Sequence, residues 1–409
     1  MSMLDKNRLK EIANEYGTPS YVFDVAGLKE RVSSIREIVP DGVKLCYSIK
    51  ANPFLIPAMG EVTDRLEVCS PGELSICKSL GVKPETIVYS GVCKTKENIR
   101  EAVEFGCGVY TAESLLHVKY LNEVAIELGK KLPVLPRLNA GSQFGMSKED
   151  LFVLFSKALE YSNLEIVGIH YFAGTQRTKI SHQVKELTML RDLYDEVEKE
   201  FGIRLKRLEY GPGLSYPYFV GDSFEDTLSP MKELAPVLEE VKSWCDLTIE
   251  MGRFFASECG YYLTRVMDIK SNKDTNYCIL DGGMNHVNYL GQIMGMKVPV
   301  IHHIKGEAKE NAASETELGI SGRLPQGSND YALCGSLCTT ADVLVRKVSF
   351  DNLEIDDILA FCNIGAYSVT EGIYLFLSRT MPRILLAMPD GQIQIARDFF
   401  ESSTINTIR

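Results

Sequence analysis

The chain reads as an α/β protein, a closed (β/α)8 barrel followed by a β-rich domain, and three observations lead there. Between Val43 and Glu250 short β-rich apolar runs alternate eight times with longer segments of helical period, the pattern of βα units on a parallel sheet. After Gly260 the texture changes to short alternating runs separated by Gly, Asn and Asp. Nearly every residue of unusual chemistry falls where one of the eight runs ends, the face on which such a barrel builds its site.

The eight runs span 43–49, 66–68, 86–90, 108–111, 133–138, 165–171, 207–210 and 246–250. Between them lie amphipathic stretches at 114–128, 148–161, 183–201 and 231–244, each long enough to cover one face of the sheet. Eight alternations over about 200 residues favour a closed barrel over an open doubly wound sheet. The barrel is expected over 26–260 and the β-rich, barrel- or sandwich-like domain over 261–409, with residues 1–25 contributing a strand through the run 19–23. In the second part, strands are expected at 261–269, 277–280, 298–303, 341–348 and 358–362, a helix at 369–377, and a long loop over 305–328, where Glu, Ala, Ser and Gly are in excess.

At 409 residues the chain exceeds one ordinary core. Hydrophobic residues at 45% and charged residues at 24% are those of a globular protein, and no apolar run reaches the roughly 18 residues needed to cross a bilayer. The start, Met1 to Lys6, has no signal-like apolar stretch, so a cytoplasmic location is expected. Eleven cysteines, an odd number scattered through apolar segments, fit reduced thiols rather than a disulfide framework. A formal charge of -11 without a basic stripe argues against a nucleic-acid partner, and no membrane or metal partner is expected.

The stretch Tyr47-Ser48-Ile49-Lys50-Ala51-Asn52-Pro53 organises the chemistry. Lys50 sits where the first strand ends, and a lysine desolvated there would have a lowered pKa and an amine able to attack a carbonyl. These seven residues alone favour a lysine that merely snorkels to water. Arg137 closes the fifth strand and His170 the sixth, while Gly211-Pro212-Gly213 follows the seventh and Glu250-Met251-Gly252-Arg253 the eighth. Glycine loops after strands seven and eight suit a phosphate held by backbone N–H groups, with Arg253 adding a bidentate contact. Glu250, beside that loop, could keep a pyridine nitrogen protonated.

These residues carry a family resemblance. Tyr47 to Asn52, the run Gly168-Ile169-His170-Tyr171-Phe172-Ala173-Gly174-Thr175-Gln176, Glu209 to Gly213, Glu250 to Arg253, Asp281-Gly282-Gly283-Met284-Asn285, Gly335 to Asp342 and Gly365-Ala366-Tyr367 resemble the ordered motifs of fold-type III pyridoxal 5'-phosphate (PLP) decarboxylases, the family of diaminopimelate and ornithine decarboxylases. The resemblance implies a PLP-binding barrel in which Lys50 carries the cofactor as a Schiff base and Glu250 faces the pyridine nitrogen. It implies that Gly211, Gly213, Gly252, Arg253, Thr175 and Tyr367 hold the phosphate, that Arg137 and Glu73 lie near the ring and the lysine, and that Phe172 stacks on the ring. Cys338 would reach into the site of a partner subunit and help protonate the product carbon, which makes the protein a homodimer with shared active sites.

Three departures bear on substrate. Phe172 stands where the family usually has a histidine, with His170 two residues earlier; Thr339 stands where an acidic residue grips a distal amine; and Tyr289 falls near an arginine that contacts a substrate carboxylate. His170, Tyr289 and Thr339 are therefore the expected substrate residues. The changes resemble the subgroup of the butirosin-pathway decarboxylase of a glutamyl group on an acyl carrier protein, through Ala173-Gly174-Thr175-Gln176 and Leu337-Cys338-Thr339. The expected activity is decarboxylation of an L-amino acid or an acylated, carrier-linked one, with meso-diaminopimelate decarboxylation as the alternative. An amino-acid racemase is disfavoured because those resemble this fold with an arginine at the ring nitrogen. A non-enzymatic PLP carrier is disfavoured because such carriers are single barrels.

Overall fold

A computed structural model of the chain describes residues 4–290, 295–306 and 329–408. Beyond Gly306, the loop expected over 305–328 lies outside the described residues. The chain divides into two compact units, Lys29–Tyr216 with Phe224–Phe255, and Met1–Leu28 with Pro217–Ser223 and Ala256–Arg409.

The first unit is a parallel barrel. Its strands lie in the order Leu164–Ile166, Leu132–Pro136, Val109–Ala112, Ile87–Tyr89, Arg65–Val68, Lys44–Ser48, Asp246–Met251, Arg207–Gly211 and Gly168–Phe172. The two ends of that order are one stave interrupted at Val167, because Leu164–Ile166 pairs with the fifth strand and Gly168–Phe172 with the seventh. A parallel bridge between Arg137 and His170, with Leu138 N donating to His170 O at 3.0 Å, closes the ring. The nine strands thus make eight staves, the α/β barrel that the alternation of runs predicts.

Strands this short form because each is buried on both faces, by helices outside and side chains inside. The helices begin where the sequence supplies caps. Ser114 accepts from His117 N ahead of Leu115–Glu127, and Thr95 and Asn98 form a reciprocal capping box ahead of Lys96–Phe105. Inside, Cys46, Val88, Val109 and Leu135 make an apolar plug with Val167 against it. The rest of the interior is polar: Arg65, Glu67, Glu209, Thr248 and Glu250 share the inward parity of that plug.

The second unit is a nine-stranded mixed sheet. Its spine is the long strand Gly260–Asn272, which pairs with Ser20–Asp24 and Ile358–Cys362 through its first half and with Thr275–Leu280 through its second. A bulge between Val266 and Asp268 marks the change of partner. Strands Asp330–Cys334, Arg383–Ala387 and Ile393–Arg397 complete the sheet and were not expected from the sequence. The helix expected over 369–377 is instead one turn, Ser368–Glu371, then an extended Gly372 and a separate turn at Phe376–Ser378. A side chain at Gly372 would strike the Asn285 carbonyl, so only glycine fits where the turn ends.

One buried carboxylate clips this unit's loops together. Asp342 accepts from Met284 N at 2.7 Å through one oxygen and from Leu337 N at 2.8 Å through the other. Burial pushes its carboxyl up from the usual range, against the pull of those two N–H groups. Asp342→Ala would leave both donors buried and unpaired. It is expected to cost about 2–4 kcal/mol, read as a lower urea midpoint at unchanged slope.

Candidate active site

Lys50 stands on a single 3-10 turn, Ile49–Ala51, directly after the first barrel strand. The turn is held from beneath: Tyr47 hydroxyl donates to Asn52 O at 2.9 Å, and the buried Asn52 side chain accepts from Phe54 N at 3.1 Å. This lifts the lysine above the plug instead of sinking it. The Lys50 side chain is 42% exposed, and its Nζ donates to Glu67 Oε2 at 2.8 Å, with Cys69 Sγ at 3.5 Å. The expectation of a side chain desolvated at the strand end is therefore corrected: it is half exposed, with a carboxylate in contact with Nζ.

Glu67 is the carboxylate in contact with Nζ, and Glu73 lies near enough to feel the Lys50 charge. Glu73 accepts from Cys69 N at 2.6 Å while Ser70 Oγ accepts from Glu73 N, a box that starts helix Pro71–Ser79. It contacts the backbone beside Glu67 instead of Nζ. Burial and the charge of Glu67 push the Glu73 carboxyl up, against the Cys69 N–H. Burial acts to raise Glu67 as well, but the Lys50 charge and hydrogen bonds from Cys69 and Lys50 outweigh it and hold that carboxyl well below the usual range.

At the fifth strand end, buried Arg137 donates to Glu113 Oε1 at 2.9 Å and lies 4.7 Å over the Phe144 ring. Glu113 in turn accepts from Gly145 N at 2.8 Å, so strand four orients the arginine of strand five. At the eighth, Glu250 is buried, with Ser48 Oγ at 3.4 Å from Oε1 and His170 Nε2 at 3.1 Å from Oε2. The His170 contact is near enough for an ion pair but too poorly aligned for a hydrogen bond, and Oε2 has no hydrogen-bond partner. His170 is 1% exposed. Its expected place in contact with substrate is corrected, because the inward parity that points Phe172 to the mouth sinks His170 one layer beneath it, against Glu250.

Phe172 is half-buried over Gly211, where a methyl group would meet its ring. Gly213 adopts φ +61°, and a side chain there would fall on the Gly174 carbonyl. Loop 173–177 is tied to loop 212–216 by Arg177 N donating to Gly213 O at 2.9 Å and by Gln176, whose amide brackets the Tyr216 backbone at 2.8 Å on both sides. Thr175 is exposed in that loop, Gly252 is buried, and half-buried Arg253 opens the turn Arg253–Ala256. The barrel thus gathers Lys50, Glu67, Arg137, Phe172, Thr175, Gly211, Gly213, Glu250, Gly252 and Arg253 on the ends of its strands.

Four expected residues lie in the second unit. Cys338 and Thr339 are exposed on the turn that Asp342 clips. Tyr367 is held at φ 70°, ψ -45°, its carbonyl accepting from Thr370 N and Glu371 N. A non-glycine residue there stores of order 1–3 kcal/mol. Tyr289 is corrected: it is 3% exposed, packs on Tyr218 and Phe219, and donates its hydroxyl to Cys362 O at 2.5 Å, so it is core and not a substrate contact. Among the described residues no group of side chains could hold a metal ion, and no helix is long and apolar enough to cross a membrane.

Glu67, Cys69, Glu113 and Glu209 were missed by the sequence reading. The signal for Glu67 and Glu209 was present: a lone carboxylate at an inward position of an apolar strand has no solvent to face.

The sequence model of the family described as pyridoxal-dependent decarboxylase, pyridoxal binding domain, matches residues 25–257. A diaminopimelate decarboxylase of Aquifex aeolicus is 30% identical over 377 residues, covering 88% of this chain and 84% of its own. An L-glutamyl-[BtrI acyl-carrier protein] decarboxylase of Niallia circulans is 24% identical, covering 96% and 94%. The crystal structure of diaminopimelate decarboxylase from Methanocaldococcus jannaschii superposes with a TM-score of 0.79 at 26% identity, over 96% of this chain and 92% of that one. The chain belongs to the pyridoxal-dependent decarboxylases, and its cofactor is PLP. The site fits that cofactor: a buried carboxylate oxygen lacks a partner at Glu250, and glycines clear the backbone at positions 211 and 213.

The Glu67 shift has a measurable sign. A carboxyl lowered in the folded state adds stability above its unfolded value near 4.5 and loses it as pH falls through its folded value. The urea midpoint of cofactor-free wild type should exceed that of Glu67→Gln at neutral pH, and the gap should close below that value.

Proposed function

We propose, from membership of the pyridoxal-dependent decarboxylases, that the chain removes the α-carboxylate of an L-amino acid or of an acylated, carrier-linked amino acid. The observation that carries this reading is Lys50 Nζ on the strand-end face of the barrel, paired with Glu67 at 2.8 Å, one strand from a Glu250 oxygen without a partner. PLP, when bound, supplies an electron sink for the pair released as CO2 departs.

The chain's own residues then have defined tasks. Lys50 holds the cofactor, and Glu67, an ionised carboxylate within hydrogen-bond reach of Nζ, orients that amine. Glu250 holds the ring nitrogen in its protonated state. Gly211, Gly213, Gly252, Arg253 and Thr175, with Tyr367, hold the phosphate, while Phe172 stacks on the ring and Arg137, oriented by Glu113, lies beside it. Each turnover consumes one proton, and Cys338 of the partner subunit delivers it to the α-carbon. Support for a shared dimeric site is the exposed position of Cys338 and the run of exposed apolar residues Ile373, Leu375, Phe376 and Leu377, a patch of the kind interfaces cover.

Thr339 gives the substrate end no counter-charge for a distal ammonium. This favours an acylated or carrier-linked substrate, in line with the Niallia relative. meso-Diaminopimelate is the second reading, favoured by the Aquifex relative.

The test is CO2 release from a panel of free and carrier-linked amino acids. Release from carrier-linked substrate, with free meso-diaminopimelate turned over far more slowly, is the expected result; the reverse order selects the second reading. Lys50→Ala should lose the absorbance of lysine-bound cofactor, and an unchanged spectrum would sink the assignment. Cys338→Ala should lower kcat by roughly 10²- to 10⁴-fold. Mixing Lys50→Ala with Cys338→Ala should restore part of the activity, since a mixed dimer contains one intact site. No recovery in mixtures would refute sharing.

A further inference from the structure

The end of the barrel opposite the site is not sealed by apolar side chains. A cavity of about 120 Å³ opens there, lined by Lys44, Arg65, Arg207, Glu209, Asp246 and Thr248 against Val109 and Leu135 of the plug. That volume has room for a few water molecules. Glu209 is only 3% exposed, and its Oε1 has no hydrogen-bond partner; Arg65 Nη1 is likewise buried without one. Two orphaned polar atoms of opposite character beside a polar cavity call for water between them.

Glu209 also faces upward. Its Cα partners in the sheet are His170 and Thr248, and Glu250 is the next inward residue above Thr248 on the same strand. It therefore lies below Glu250 and in register with His170, with Cys46 facing it from the first strand and Arg65 from the second.

We propose that Glu209, in contact with water through the base of the barrel, is a positioning residue that sets the field at Glu250 and thereby how firmly the ring nitrogen keeps its proton. The inference rests on the function proposed above. With Glu209 neutral, Glu250 has no second negative charge directly below it on the neighbouring strand. With Glu209 ionised, its proton passed to cavity water, a further negative charge is added to the buried column and holds a ring-nitrogen proton more tightly. Burial first, then the charge of Glu250, push the Glu209 carboxyl up to about 7, against the opposing pull of His170, Arg65 and Cys46, so the change falls at physiological pH.

Two measurements test it. In cofactor-free protein, infrared spectroscopy should show a protonated carboxyl band that titrates near 7 and is missing from Glu209→Gln. In the holoenzyme, the absorbance of bound cofactor should shift with the same midpoint, and Glu209→Gln should flatten that shift. Arg65→Leu, which removes the opposing cation, should move both midpoints upward and serves if Glu209→Gln does not fold. Absence of the band, or a cofactor titration unchanged in Glu209→Gln or in Arg65→Leu, overturns the proposal. Protein that binds no PLP defeats the proposed function itself and the coupling with it, while the infrared band separately decides whether Glu209 carries the proton.

Discussion

Strand parity is the constraint on which the site depends. In a closed parallel barrel every second residue of every stave must point at the axis, and nothing else can occupy that space. Here the axis is only partly apolar. Cys46, Val88, Val109 and Leu135 form a plug, and around it the same parity forces Arg65, Glu67, His170, Glu209 and Glu250 into one low-dielectric column. Charges so placed must pair or shift, and the column does both: Glu67 is held ionised by a lysine, while Glu209 is driven toward neutrality by burial first and then by the Glu250 carboxylate.

The reactive amine gains its environment in a different way from the one its sequence suggests. An apolar strand with a lysine at its lip implies desolvation, yet a 3-10 turn pinned by Tyr47 and Asn52 raises the side chain clear of the core. Its chemistry then depends on a neighbour two residues from a capping box. Because Ser70 and Glu73 start their helix where strand Arg65–Val68 ends, Glu67 and Cys69 are delivered to Nζ by local helix-start physics.

Much of this was legible in the sequence, and what was not has a physical cause. The eight staves follow from period and run length, and the strand-end positions of Lys50, Arg137, Glu250 and Arg253 follow from the staves. Parity within a stave was not read, so His170 was placed at the mouth when Phe172 already occupied that face. Tyr289 was misplaced because motif spacing gives proximity along the chain, whereas an aromatic with one polar atom is satisfied by any core offering a carbonyl, as Cys362 does. Three strands of the second sheet escaped notice because Arg383–Ala387 pairs with Ser20–Asp24, 363 residues earlier, and Asp330–Cys334 with Thr275–Leu280, 55 residues earlier, spans that leave no local pattern, while Ile393–Arg397 depends on Arg383–Ala387 across the turn at 388–391.

The loop bearing Cys338 is secured at its root. Asp342 grips the Leu337 amide on one side and Met284 on the other, and Thr339 Oγ1 adds a weaker bond from Ala341 N at 3.3 Å. Such a loop can exchange the residues at its apex while Asp342 keeps its root in place, so replacing the proposed substrate residue Thr339 would leave the main anchorage standing.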